Sequence, residues 1–187
     1  MKRKTAKEVL AESFCELAQR VNVDKITVRD ITENCGYSAA TFYRQFRDKY
    51  DLIAWDYTRS VKAIMDKIGA DGYDWSQALL EAARIFARSR EYLANLFLHT
   101  SGQDSFFVYM VEIHYQALTD HIQKLMGKEK VREELLLSLR IYCLGTVSLT
   151  CEWLLGKYGL SPDELAAAYV RALPRELIPY LLPGEEG

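Results

Sequence analysis

Residues 25–53 read KITVRDITENCGYSAATFYRQFRDKYDLI, and the reading of this stretch decides the architecture. Thr27 stands where a helix N-cap is needed ahead of VRDITEN, with Asp30 three residues on as the reciprocal partner of a capping box. Cys35-Gly36-Tyr37 breaks the period, and Gly36 supplies the left-handed residue that a tight turn between helices wants. Ser38 caps a second helix, AATFYRQF, in which Phe42 and Phe46 share one face at i,i+4. The other face carries Ala39, Ala40, Tyr43, Arg44 and Gln45. Two short helices joined by a glycine turn, the second small at its start and basic-aromatic outside, read as a helix-turn-helix.

The run T-V-R-D-I…C-G-Y-S-x-x-T-F-Y-R-Q-F-R-D-K-Y-D-L-I resembles the DNA-binding region of the TetR/AcrR family of bacterial transcriptional regulators. Thr41, Tyr43, Phe46 and Lys49 carry its most diagnostic spacing, T-x-Y-x-x-F-x-x-K. The resemblance covers roughly the first third of the chain and extends further only in length and helical character. It implies an all-α protein. Residues 1–50 form a three-helix helix-turn-helix DNA-binding domain. A long helix then bridges to a helical effector-binding and dimerisation domain over residues 51–187. Double-stranded DNA is the implied partner. Ala39 and Ala40 keep the recognition helix narrow enough for the major groove, and Thr41, Arg44 and Gln45 face base edges, arginine suiting guanine and glutamine adenine. Thr27, Ser38, Tyr43 and Lys49 look like the family's phosphate contacts. For Tyr43 and Lys49 the competing reading is a plain surface. Lys2, Arg3 and Lys4 are placed to follow the backbone or an adjacent minor groove. Phe42 and Phe46 go to the core, with Leu10, Phe14 and Ile31 as expected neighbours.

Charge agrees with a protein that meets phosphate at one end. Residues 1–50 hold ten Lys/Arg against seven Asp/Glu, a net of +3, so with the chain at −2 the remainder carries −5. Taken alone, this asymmetry is equally well chance variation in surface charge; beside the motif it supports DNA binding. At 187 residues, 49% hydrophobic and 27% charged, the composition is that of an ordinary globular protein. No stretch reads as a membrane span, and the start, MKRKTAKEVLAES, lacks the apolar segment of a signal peptide, so a cytoplasmic protein with no membrane partner is expected. Cys15, Cys35, Cys143 and Cys151 stand among apolar helical residues without CxxC pairing and read as reduced core residues, with a metal site or redox switch as the minority reading.

Along the chain, Thr5 and Glu8 form a capping box for a first helix running to about Arg20, with Ala6, Leu10, Phe14, Leu17 and Val21 on its stripe. A fourth helix starts near Asp48, runs to about Ile68 with Tyr50, Ile53, Tyr57, Val61, Ile64 and Ile68 in register, and acts as a lever between the two domains. Gly69-Ala-Asp-Gly72 ends it. Four further stretches are helical: 77–101, as two helices or one bent helix; 104–126, closed by Gly127; 130–158, the most apolar; and one opened by Ser161-Pro162-Asp163-Glu164 and stopped by Pro174.

One recognition helix offers too few contacts for an operator, so a homodimer on a palindrome is expected. By the family pattern it pairs through the last two helices. Gly145, Thr146 and Ser148 allow close approach, and Leu149, Trp153, Leu165, Ala168, Tyr169 and Ala172 offer apolar area, although an intramolecular core accounts for any one of them equally. An effector cavity is placed among Phe86, Tyr92, Phe97, Phe107, Met110, His114, Tyr142, Cys143 and Thr146, residues that also suit plain core. Aromatic walls with one histidine and a few hydroxyls suit a small, mainly apolar or aromatic molecule. His114 and His121, two turns apart, are too distant to share one ion, and no metal or other cofactor is called for. No nucleophile elbow, phosphate loop, HExxH or GxGxxG is present, so the protein is read as a regulator and not an enzyme. Ligand binding is expected to shift the lever and with it the spacing of the two recognition helices.

The later pattern G-T-V-S-L-T-C-E-W-L-L-G…G-L-S-P-D-E-L resembles one branch of the family, which includes a regulator of dihydroxyacetone kinase genes that acts with a protein co-activator. It implies a second possibility: an activator controlled by a protein partner, with no small ligand of its own. A small dry cavity with an exposed apolar patch favours this version, and a large enclosed pocket favours ligand-controlled repression.

Overall fold

Thr5 opens the first helix as the sequence suggests. Its hydroxyl accepts from the Glu8 amide, and the Glu8 carboxylate accepts from the Thr5 amide. The same reciprocal arrangement caps the helices begun by Thr27, Asp74 and Ser161, each satisfying amides that have no partner within the helix. The computed structural model describes residues 4–184, and all regular structure among them is helical. The helices are α1 (Ala6–Ala18), α2 (Val28–Cys35), α3 (Ala39–Tyr43), α4 (Lys49–Met65), α5 (Trp75–Arg88), α6 (Arg90–Leu98), α7 (Phe106–Met126), α8 (Glu133–Leu154), α9 (Pro162–Arg171) and α10 (Ile178–Leu181). The stretch 77–101 is thus two helices broken at Ser89.

Several ends differ from expectation. α1 stops at Ala18, and Val21 lies beyond it, exposed. α3 is five residues long, not eight, because its last turn tightens at Arg44 and Gln45 ahead of the Asp48 cap of α4. α4 ends at Met65, where the chain turns through Gly69, Asp71 and Gly72, all at positive φ.

α1, α2 and α3 close on Leu10, Phe14, Ile31, Phe42 and Phe46, all buried in one cluster. This places Phe42 and Phe46 in the core beside the neighbours expected for them. α4 packs against α1 on one side and α7 on the other. In the second part of the molecule α5 packs chiefly on α9, and α7 on α8. The core continues from the first three helices through Tyr57, Phe106 and Val147 to Trp153 and Tyr169. α4 thus ties the two ends into one packed body.

α8 corrects one expectation. An 18-residue window within its 22 residues has a mean hydropathy of 1.3, long and apolar enough by length and composition to cross a membrane. Its apolar residues fall on two faces: Leu135, Leu139, Tyr142, Cys143 and Val147 point into the core, while Leu137, Ile141 and Leu144 are exposed.

Candidate nucleic-acid interface and regulatory cavity

Gly36 makes the turn of the helix-turn-helix. At φ 72° it lets the Tyr37 amide donate back to the Thr32 carbonyl at 2.9 Å, which ends α2 and aims α3 across it. α3 then buries Phe42 and presents its other side to solvent. Ser38, Ala39, Ala40, Tyr43 and Arg44 are exposed, and Thr41 and Gln45 are half-buried. Tyr43 is 61% exposed, held edge-on to the Phe42 ring with centroids 5.5 Å apart. A polar chain runs along this face: Arg44 Nη2 donates to Thr41 Oγ1 at 3.1 Å, and Thr41 Oγ1 lies 3.1 Å from Ser38 Oγ. It ties the Arg44 guanidinium to Thr41, a contact the spacing of these residues does not announce.

Two sequence-assigned phosphate contacts are occupied otherwise. Lys49 Nζ donates to the carbonyls of Val23 (2.8 Å), Asp24 (3.1 Å) and Ile26 (2.8 Å). All three of its hydrogens are used inside the protein. Burial lowers the pKa of this ammonium, against the opposing pull of Asp24 and Asp30. The geometry is that of a clamp on the turn before α2. Thr27 likewise directs its hydroxyl to Asp30 Oδ2 at 2.7 Å, a contact that holds the Asp30 carboxyl below its ordinary pKa. Lys4 pairs with Glu12 at 2.7 Å, both side chains about half exposed (57% and 46%), an exchangeable surface pair. Lys2 and Arg3 lie outside the described residues.

A cavity of about 80 Å³ lies between α4, α5, α7, α8 and α9. Five of the nine predicted residues line it: Phe86, His114, Tyr142, Cys143 and Thr146. Four do not. Tyr92 turns toward the first domain and meets Phe14 edge-on at 6.5 Å. Phe97 packs on Phe106 at 5.0 Å, Met110 is fully buried, and Phe107 is partly buried against the main core. These four belong to α6 and the start of α7, where the helices support α1 and α4 instead of enclosing space. Tyr57, Trp75, Thr150 and Tyr169 line the cavity without having been anticipated.

Its polar groups are mostly matched within the wall. Trp75 Nε1 donates to Tyr142 Oη at 3.2 Å, Tyr142 Oη to the Tyr169 carbonyl at 3.1 Å, and Tyr169 Oη to the Thr146 carbonyl at 3.0 Å. Tyr57 Oη lies 2.8 Å from His114 Nε2, with the two rings stacked at 5.8 Å. Burial pushes the His114 pKa down to about 4 and raises that of Tyr57. Both are neutral at ordinary pH.

The dimer assignment from sequence needs correction. Leu165 is wholly buried, Trp153 is 2% and Tyr169 6% exposed. Trp153 donates from Nε1 to the Leu160 carbonyl at 2.7 Å, while Arg90 lies over its ring. Leu165 and Tyr169 are intramolecular core because α9 turns its apolar side onto α5, and Trp153 on α8 is core beneath Arg90. Leu149 and Ala168 are half-buried; Gly145 and Ala172 remain exposed. The unpartnered apolar surface lies instead on α8 at Leu137 (58% exposed), Ile141 (71%) and Leu144 (41%), with Leu155 (45%) just past its end. Spaced four, three and eleven apart, these residues follow a heptad seam.

Residues 15–54 match the sequence profile of the bacterial regulatory proteins of the tetR family. This helix-turn-helix segment is that of the tetR family. No curated protein sequence matches the chain. Among solved structures the fold resembles the dihydroxyacetone kinase operon activator DhaS, at 19% identity and TM-score 0.65, covering 94% of this chain and 98% of that one. A TetR transcriptional regulator from Rhodococcus sp. RHA1 is similar at 19% identity and TM-score 0.61, with the same coverage. Thermus thermophilus FadR, a TetR-family repressor solved with lauroyl-CoA, is similar at 15% identity and TM-score 0.61, over 97% of this chain and all of that one. The TetR-type fold thus extends from the matched helix-turn-helix through the C-terminal helices.

Proposed function

We propose that the protein is a sequence-specific DNA-binding transcriptional regulator, acting as a homodimer on a palindromic operator and released from it by a small apolar or aromatic effector. The observation that carries the DNA reading is α3: a short helix with Phe42 as its buried anchor and with Tyr43 and Arg44 exposed on the other side, Arg44 tied to Thr41. Arg44 and Gln45 read bases, and Ser38 and Tyr43 hold the backbone. Dimerisation rests on the exposed α8 seam. Release follows if the effector alters α4, whose Tyr57 meets the cavity, and so moves the two recognition helices off the spacing of one DNA turn, about 34–36 Å. Selection of bound DNA from a random pool tests the core of this reading: a palindromic consensus supports it, and unselective binding refutes it.

A second reading is favoured by the size of the cavity. At about 80 Å³ it falls well below the roughly 300–1,000 Å³ of drug-sized pockets, and it has no room for a ligand as long as the lauroyl-CoA bound by Thermus thermophilus FadR. Together with the exposed apolar seam on α8, this suits an activator controlled by a protein partner; the name of DhaS gives that protein as an operon activator. Titrating operator complexes with a metabolite library separates the two: release by a small molecule supports the first reading.

A further inference from the structure

The cavity wall contains one donor hydrogen too many. Tyr57 and the neutral His114 bring two polar hydrogens, one O–H and one N–H, and their single mutual contact uses only one of them. If Tyr57 donates to Nε2, the hydrogen on His114 Nδ1 is left over. If Nε2 carries the hydrogen and donates, the Tyr57 hydroxyl hydrogen is left over. Neither side chain has another hydrogen-bond partner among the described residues. Every other hydroxyl or indole N–H lining the cavity has an acceptor in the protein, down to Ser60, which donates to the Asp56 carbonyl at 3.1 Å. The surplus hydroxyl or ring hydrogen therefore exists in both tautomers, on His114 Nδ1 in one and on Tyr57 Oη in the other, at the pair that joins α4 to α7.

We infer that the cavity takes a small, mainly apolar, ring-sized molecule bearing one neutral hydrogen-bond acceptor, a ketone or aldehyde, whose oxygen receives the unmatched hydrogen of the Tyr57–His114 pair. This rests on the reading of the cavity as an effector site and names the ligand's chemistry. A donor hydrogen with no acceptor in an apolar wall favours a ligand acceptor that meets it over an isostere that cannot. The apolar walls accept the ring but have no cation to neutralise a carboxylate. A groove between α4 and α7 shares Val61, Met65 and Ala117 with the cavity and offers the way in.

The test compares cyclohexanone with methylenecyclohexane, which has the same shape but no acceptor, by NMR titration of the full-length protein. Wild type is expected to bind the ketone roughly tenfold more tightly. Tyr57→Phe and His114→Phe should each keep the preference, because either remaining partner still has a free hydrogen. The double variant should bind both probes equally, and replacing both partners by apolar rings leaves no orphan to unfold it. In wild type the His114 side-chain 15N resonances should shift with the ketone and not with the alkene, a readout that needs no variant. Equal affinities in wild type, or a preference that survives in the double variant, overturn the acceptor assignment while leaving an effector cavity standing. Binding of neither probe overturns both. Ketone binding with the expected preference but no operator release removes the effector reading and leaves the donor site.

Discussion

Asn95 on α6 holds the turn that follows α1 through its Val23 contact: its Oδ1 accepts from the Val23 amide at 3.0 Å. Its Nδ2 donates to the carbonyls of Ala18 (2.7 Å) and Val21 (2.9 Å). One amide thus caps the end of α1, where carbonyls lack helical partners, and joins α6 to the first helices by a route separate from α4. Asn95→Ala removes all three bonds and leaves the Val23 amide and the Ala18 carbonyl, both partly buried, without a side-chain partner. A stability loss of about 2 kcal/mol is expected in urea unfolding. An unchanged midpoint would show that water replaces the side chain at no cost.

Lys49 is expected to behave as a structural residue. Lys49→Met should lower stability by about 1–3 kcal/mol by orphaning three carbonyls, yet leave the salt dependence of operator binding unchanged. A residue that neutralises a phosphate would reduce that slope by about one. The slope of log affinity against log salt, measured below the unfolding transition, distinguishes the two.

Tyr43 and Arg44 should separate in the opposite way. Tyr43→Ala weakens binding to operator and random DNA alike. Arg44→Ala costs about 1–3 kcal/mol on the operator alone and relaxes specificity at one base pair. Competition binding with single-base operator variants makes the comparison, and indistinguishable profiles for the two mutants would refute their division into backbone and base contacts.

His114 gives the stability curve a defined sign. Its folded pKa of about 4 lies below the ordinary value of 6.5, so between these two pH values the unfolded chain binds the extra proton. Stability contributed by the neutral imidazole is complete above about pH 6.5 and is lost as pH falls toward 4, by about 3 kcal/mol. Burial lowers the pKa of His121 in the same direction, so the difference between wild type and His114→Phe, measured by denaturation from pH 7 to 4, isolates the His114 part. Parallel curves would mean that His114 is solvated.

Ile141 is the most exposed of the large apolar residues on α8. Ile141→Glu should leave the fold intact, since the side chain touches no core, and convert a dimer to a monomer in sedimentation at micromolar concentration. A dimer that persists would place the interface elsewhere.

The chain determined by itself whatever depends on neighbours a few residues apart. Four capping boxes, the left-handed Gly36, the i,i+4 pair Phe42 and Phe46, and the helical composition of the remainder follow from local hydrogen bonding and a 3.6-residue period. The tetR resemblance was carried by the same short stretch. Tertiary structure alone decided which apolar faces meet. α8 is apolar on two sides, and periodicity carries no sign to say that Tyr142 and Val147 turn inward while Leu137 and Ile141 stay out; hence Trp153, Leu165 and Tyr169 were assigned to a dimer and lie in the core. The partners of Lys49 and Asn95 were beyond reach for the same reason. Lys49 binds carbonyls 23 to 26 positions away and Asn95 binds backbone more than 70 positions away, and a long polar side chain reads identically in sequence whether it awaits phosphate or ties two helices together.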